Sequence, residues 1–285
     1  MEHKSQYNGV RPHKSLGQNF LTDSSIADSI VDVANIHNKD LVLEIGPGTG
    51  VLTSRILEKG AKLVVFEFDP GLADRLNLDF AEAIRKDQLE IVVGDCLKTL
   101  PDWLYQHQAV GSYKLISNLP YQITTPVFRM LFEGGVMKTP ELIVLMLQKE
   151  LVDRLLAGAG LADRGYLSVY LEYWAQAERL LEAPRKAFWP APKVDSSVIR
   201  LQLRADRAYL GVEERKFMKF VRAGFVAKRK LLYKVLTGLL DTSRDEVNAI
   251  FAQHGLSTTA RSQELSLTQW QALYQEFKQK RGHHE

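Results

Sequence analysis

Between residues 41 and 203, short apolar runs alternate with longer stretches in which apolar residues recur every three or four positions, the rhythm of strand and helix taken in turn. The runs at 41–45, 62–68, 89–93, 113–117 and 142–147 predict strands covered on both faces, since each is short and almost wholly apolar. Amphipathic segments predict helices over 51–59, 70–86, 149–157 and 167–175, with another beginning near Thr124. Strand and helix in alternation predict an α/β fold, a doubly wound Rossmann-like sheet with helices on both faces. Two later runs, 178–183 and the alternating 196–203, predict adjacent strands and hence an antiparallel edge. Between them, Pro184, Pro190 and Pro192 forbid regular pairing and predict an extended loop over 184–193 that carries Phe188 and Trp189.

Past residue 204 the strand rhythm stops. Phe217, Phe220, Val221 and Phe225 recur at helical spacing, as do Leu231, Leu232, Val235, Leu236 and Leu239, and further helices are predicted over 243–254 and 267–278. The change places a boundary near Asp206, dividing the chain into residues 1–205, with a basic amino-terminal arm, and a smaller all-α domain at 206–285.

Composition narrows the class. With 45% hydrophobic and 25% charged residues in 285, the chain can bury a sizeable core. The longest apolar runs are too short for a bilayer, and residues 1–14 lack a signal peptide's apolar stretch, so a cytoplasmic or organelle-matrix protein without a membrane partner is expected. Cys96 is the single cysteine, which excludes an internal disulfide and offers no metal-site spacing; no metal is expected. The net charge of +3 conceals a segregation: residues 215–240 contain no acid but hold Arg215, Lys216, Lys219, Arg222, Lys228, Arg229, Lys230 and Lys234. The amino terminus adds His3, Lys4, Arg11, His13 and Lys14. One such run suits a solvated helix face, whereas two point to a polyanionic partner.

The candidate chemistry sits where predicted strands end. Gly46, Gly48 and Gly50 follow the first strand, where a backbone must approach a ligand closely. Glu67 ends the second strand, placed to accept from both hydroxyls of a ribose, so the pair suits an adenosine-containing cofactor, either NAD or S-adenosylmethionine. Asp95 ends the third strand and can accept from an adenine amine, while the second domain offers no catalytic residues for a dehydrogenase. After the fourth strand comes Asn118-Leu119-Pro120-Tyr121. An adenine amine is a poor nucleophile because its lone pair is delocalised into the ring. The Asn118 side-chain oxygen and a backbone carbonyl beside Pro120 can accept its protons and draw that lone pair outward, with Tyr121 stacking on the base. The competing reading is a helix cap before Thr124.

Six segments occur in one order: GQNFL at 17–21, EIGPGTG at 44–50, FEFD at 66–69, NLPY at 118–121, LQKE at 147–150 and AFWPAPKVDS at 187–196. In this the chain resembles the ribosomal RNA adenine dimethyltransferases, of the bacterial small-subunit KsgA type, over nearly its whole length, residues 261–266 included. The resemblance implies a class I methyltransferase sheet, S-adenosylmethionine as cofactor, and N6 methylation of adenosines near the 3′ end of 16S rRNA within the immature small subunit, by a monomer. It assigns Asn19, Leu21, Gly46, Gly48, Glu67, Asp95 and Asn118 to the cofactor, and Asn118, Leu119, Pro120, Tyr121 and Phe188 to the target base. RNA docking falls to Arg222, Lys228, Arg229 and Lys230, with the amino-terminal arm. The chain departs from the family's usual pattern at Gln122, where many relatives carry asparagine, and at Ala227, which stands before the basic triplet where glutamine is usual. The alternatives are a large-subunit (23S) rRNA methyltransferase of the antibiotic-resistance type and a mainly non-catalytic ribosome-assembly factor.

Overall fold

The computed structural model describes residue 12 and residues 17–108, 111–133, 138–204 and 212–282. In chain order the first elements are Phe20–Leu21 (β1), Ser24–Val33 (α1), Leu41–Ile45 (β2), Val51–Glu58 (α2), Lys62–Glu67 (β3), Pro70–Asp79 (α3), Ala81–Arg85 (α4) and Leu89–Val93 (β4). Cys96–Gln106 (α5), Lys114–Asn118 (β5), Thr124–Phe132 (α6), Leu142–Gln148 (β6), Lys149–Leu155 (α7), Tyr166–Trp174 (α8), Ala175–Ala183 (β7), Phe188–Trp189 (β8) and Ser196–Leu203 (β9) follow. The rest is helical: Val212–Gly224 (α9), Leu232–Leu240 (α10), Arg244–Gln253 (α11) and Leu267–Gly282 (α12).

A seven-stranded sheet runs in the order β4-β3-β2-β5-β6-β9-β7. From β4 to β6 all pairings are parallel, and β9 lies antiparallel on β6, the antiparallel pairing expected from two late strands adjacent in sequence. The inner strands are apolar on both sides because both sides are covered: Val42, Leu43, Leu63, Val64 and Val65 are fully buried. Sheet order reverses between β2 and β5, so the loops leaving their carboxyl ends part and open a crevice there.

Helix α1 covers part of this sheet. Asp23 caps it, accepting from the Ser25 amide at 3.0 Å, and Ile26, Ala27, Ile30 and Val31 form its buried face. Its end is tied down by Lys114, whose ammonium donates to the Ala34 and Asn35 carbonyls and, at 2.7 Å, to Asp40. Burial alone would raise the Asp40 pKa, but hydrogen bonds from Lys114 and from the His37 amide outweigh it, and the net shift is downward.

Two local expectations are revised. The helix expected over 70–86 is interrupted at Phe80 (φ −114°, ψ 23°), whose ring occupies the space beside Gly50; a Cβ on Gly50 would stand 2.6 Å from it. The proline-rich loop also pairs after all: β8 lies antiparallel to β1, with Leu21 opposite Phe188 and Phe20 opposite Trp189. Pro184 and Pro190 flank those two residues, so neither removes a donor from within the bridge.

The chain forms two compact units, one made of residues up to 149 with 178–203, the other of 150–177 with 204 onward. Residues 150–177, which the alternation of strand and helix places with the sheet, belong to the second unit. The reason is aromatic: Tyr173 of α8 packs against Phe217 of α9, which meets Tyr274 of α12, while Phe220 and Phe225 close around the fully buried Trp270. Gly224 is required there, since a Cβ would come within 2.4 Å of the Trp270 ring. Arg164 is 2% exposed in the same unit, donating to the Ala157 and Leu265 carbonyls and to Glu172.

Candidate active site

The crevice holds a cavity of about 300 Å³ lined by the glycine turn after β2, the ends of β3 and β4, the turn after β5 and residues 17–21 of the arm. That volume is at the lower end of those that take small-molecule cofactors. Asn19, Leu21, Gly46, Gly48, Glu67, Asp95, Asn118, Leu119 and Pro120 all line it, so the structure brings together residues spread over a hundred positions of sequence.

The turn is held to the next strand by the Gly46 amide, which donates to the Phe66 carbonyl at 2.9 Å. Gly48 has φ +58°, a left-handed backbone that suits glycine. The Gly48 amide donates to one oxygen of Glu67 at 3.1 Å, and the Asp69 amide donates to the other at 2.9 Å. Glu67 is thus a buried carboxylate fixed in direction at a strand end. Burial raises its pKa, and those backbone donors partly oppose the rise.

Beneath it stands a residue that the sequence reading missed. Glu44 is 1% exposed, lines the cavity and accepts from the Thr53 hydroxyl at 2.7 Å. Burial, with the charge of Glu67 adding to it, pushes its pKa up to about 8 against the Thr53 hydrogen bond. The signal was present: an acid inside the otherwise apolar run 41–45 costs burial energy that a purely structural strand would avoid. Asp95 caps α5 by accepting from the Leu97 amide at 3.0 Å while lining the cavity. Cys96 beside it is buried, and its thiol is pushed up to about 12, so it remains a neutral wall residue.

Asn118 ends β5. Its neighbour Ser117 anchors the strand by donating to the Ile45 carbonyl at 2.6 Å. The Asn118 amide nitrogen points at the Asn19 carbonyl, at a long 3.5 Å, which turns Oδ1 to be the acceptor side of the group. Leu119 is buried and donates its amide to Met146, and Pro120 leads into a 3-10 turn, Tyr121–Ile123. The Tyr121 side chain lies outside the described residues, as do His3, Lys4, Arg11, His13 and Lys14 of the arm. Asn19 donates to the Gly17 carbonyl at 2.9 Å, closing the arm into a turn, and Leu21 packs into the core with 5% exposure.

Phe188, expected beside Tyr121 against a base, is 5% exposed and packs with Leu21 and Ala187. Pairing with β1 sets its direction, because successive strand residues face opposite ways. Trp189 takes the other direction and stacks on Phe20, with ring centroids 6.4 Å apart.

The basic residues of the helical unit also divide. Arg222 is exposed, whereas the Lys228 ammonium is committed to the Ala162 carbonyl. Arg229 and Lys230 are exposed and, with Lys234 and Arg261, line a second cavity of about 370 Å³. Arg261 was not singled out, since it lies 27 residues beyond Lys234 and joins the group only through folding. Among the described residues no helix is long and apolar enough to cross a membrane, and no group of three or more His, Cys, Asp or Glu side chains could hold a metal ion.

An open sheet of this order, with an acidic strand end, a glycine turn and a polar turn after β5 around one cavity, defines a class I methyltransferase. Solved structures have the same fold: a dimethyladenosine transferase from Plasmodium falciparum, with TM-score 0.74 and 23% identity, covers 92% of this chain and 98% of its own. The 23S rRNA methyltransferase ErmE, with TM-score 0.67 and 24% identity, covers 91% and 100%. In sequence, the family pattern described as Ribosomal RNA adenine dimethylase matches residues 9–279. Relatives named Ribosomal RNA small subunit methyltransferase A are 37% identical in Halothermothrix orenii, over 94% of this chain and 88% of that one, and 38% identical in Clostridioides difficile, over 91% and 89%. The chain belongs to the ribosomal RNA adenine dimethylase family, and it is a methyltransferase.

Proposed function

We propose that the protein transfers methyl groups from S-adenosylmethionine to the N6 amine of adenosines near the 3′ end of small-subunit (16S) rRNA, acting as a monomer on the immature subunit in the cytoplasm. The observation that carries the reading is the convergence on one cavity of the Asn118-Leu119-Pro120 turn with the buried carboxylate of Glu67. The residues suit that cofactor: a glycine turn whose Gly48 has no room for a Cβ, a fixed carboxylate for the ribose, Asp95 for the adenine, and Gly46 with Asn19 for the methionine part. When bound, S-adenosylmethionine supplies an electrophilic methyl carbon on a sulfonium centre.

The chain's own contribution is orientation and proton acceptance. Asn118 Oδ1 and the Leu119 carbonyl accept from the two N–H groups of the target amine, returning lone-pair density to nitrogen and aiming it at the methyl carbon. On taking the methyl group that bound S-adenosylmethionine would supply, the amine nitrogen sheds one proton along its hydrogen bond to Asn118 Oδ1 and on to solvent. No dedicated acid is needed, because the leaving group is neutral. Holding the partners at near-attack distance supplies the larger share of the acceleration. The target base must leave its stack, at a cost of a few kcal/mol, and Tyr121 is the aromatic assigned to offset this by stacking, worth about 1–3 kcal/mol.

The names of relatives at 37% and 38% identity support the small-subunit substrate over the large-subunit alternative. Docking is assigned to Arg222, Arg229 and Lys230, joined by Lys234 and Arg261, through phosphate contacts. The decisive experiment supplies labelled S-adenosylmethionine with immature small subunits and, separately, large subunits, then maps the labelled nucleotide. Label on dimethylated adenosines of the small-subunit RNA is expected; label on the large subunit, or binding without transfer, contradicts the proposal.

A further inference from the structure

The carboxyl end of the sheet leads outward from Asn118 to the proline-rich loop. Asn118 stands opposite Met146 on β6, and two residues on, Gln148 stands opposite Ser196 of β9. The Lys149 amide donates to the Asp195 carbonyl at 3.0 Å, and the Asp195 carboxylate accepts from the Arg185 amide at 2.8 Å. Strand spacing and rise put Asp195 roughly 15 Å from Asn118, on the same rim. The loop is held firmly, because β8 pairs with β1 and the Ala187 carbonyl accepts from the Thr22 amide at 2.8 Å and the Thr22 hydroxyl at 2.9 Å. Its charges are unevenly paired. Glu182 accepts from Lys149 at 2.5 Å and from Arg179 at 3.3 Å, Glu178 pairs with Arg200, and Asp195 holds the loop's own backbone. Arg185, Lys186 and Lys193 are exposed, and among the described residues no acid is in ion-pair contact with any of them.

We propose that Arg185, Lys186 and Lys193 form a phosphate-binding surface that grips the RNA backbone beside the reacting adenosine, an inference that rests on the reading of the Asn118 turn as the place where the adenosine amine reacts. A basic run by itself suits a solvated face. Here the unpaired cations stand on the rim where the base must arrive, and backbone hydrogen bonds fix the loop that carries them. A base taken out of its stack leaves its backbone free to swing, so a hold on neighbouring phosphates sets where the base is delivered. Lysine and arginine supply that hold without reading sequence.

The test measures binding of the full-length protein to immature small subunits over a range of salt. Lys186→Ala and Lys193→Ala should each lower the slope of log affinity against log salt by about one, and the double variant by about two. Lys186→Arg should keep the parent slope, and so should Lys62→Ala, whose ammonium is paired with Asp87 at the amino end of β3. Affinity for S-adenosylhomocysteine and the melting temperature should not move in any of them. Position is read separately. Cys96 is buried, so Lys186→Cys offers a reactive thiol for a tethered iron chelate, whose hydroxyl radicals should cut the RNA within a few nucleotides of the adenosines that become methylated. Unchanged slopes in the double variant, or cuts remote from those adenosines, would overturn the proposal. Subunit binding by the parent without methyl transfer would instead overturn the reading of the Asn118 turn, and the role of the loop in delivering the adenosine with it.

Discussion

The ring of Phe20 lies where a side chain on Gly48 would have to go: a Cβ there would stand 2.9 Å from Cδ1 and 3.2 Å from Cε1. The arm and the glycine turn are thus fitted together without spare room, and Trp189 stacks on Phe20. Gly48→Ala must therefore displace the arm as well as strain a left-handed backbone, a cost of about 1–2 kcal/mol. Cofactor affinity should fall on the order of tenfold or more, with melting lowered by only a few degrees, as titration calorimetry and thermal unfolding will register. A variant that binds as the parent does would mean that the arm does not close on the turn.

The raised pKa of Glu44 makes cofactor binding pH-dependent. In the folded protein without cofactor it titrates near 8, against an ordinary value of 4.5. Its contribution to stability is therefore fully present below about 4.5 and is lost as pH rises through about 8. Glu67, also raised, shares the cavity, so the two carboxyls titrate as a coupled pair. A cationic ligand placed against them favours their charged forms, so binding at pH 7 should release a proton. Calorimetry in buffers of different ionisation heat measures this directly. Proton release should diminish in Glu44→Gln, and its absence from the parent would show that no cation meets these carboxyls.

Lys114 joins the end of α1 to β5 with 7% exposure, and its removal would take from Asp40 its charged partner and from two carbonyls their side-chain donor. Lys114→Met should destabilise the fold by about 3 kcal/mol, read from urea unfolding. The Asp40 contribution runs the other way in pH from that of Glu44: its pKa is depressed, so the stability is present above its ordinary value and lost as pH falls through the folded one. A loss below 1 kcal/mol in Lys114→Met would leave this ion pair without the structural weight given to it.

In the helical unit the basic residues are not equivalent. Arg229→Ala and Arg261→Ala should each flatten the dependence of RNA affinity on salt, lowering its logarithmic slope by about one. Lys228→Ala should change that slope little, since its ammonium is held by the Ala162 carbonyl. Equal slopes in all three variants, or an affinity insensitive to salt, would remove the phosphate-contact assignment.

Much of this was legible in the sequence because local pattern and tertiary role agree. Strands β2 to β6 announce themselves by short, largely apolar runs, and Glu67 and Asn118 fall at the carboxyl ends of two of them, where an open sheet places ligands. What was illegible depends on register or on distant chain. Whether Phe188 or Trp189 faces inward is decided by pairing with Phe20 and Leu21, more than 160 positions away. The helix break at Phe80 depends on space beside Gly50, and the allegiance of 150–177 on aromatic partners beyond 210. Arg261 meets Arg229 and Lys230 only after the intervening helices fold.

The most direct test is Asn118→Ala, measured for S-adenosylhomocysteine binding and for methyl transfer to immature small subunits under single-turnover conditions. Binding should stay within a few-fold of the parent, while transfer falls on the order of 10²-fold or more, because the acceptor that orients the amine is gone. Transfer at the parent rate with binding intact would contradict the account at its centre.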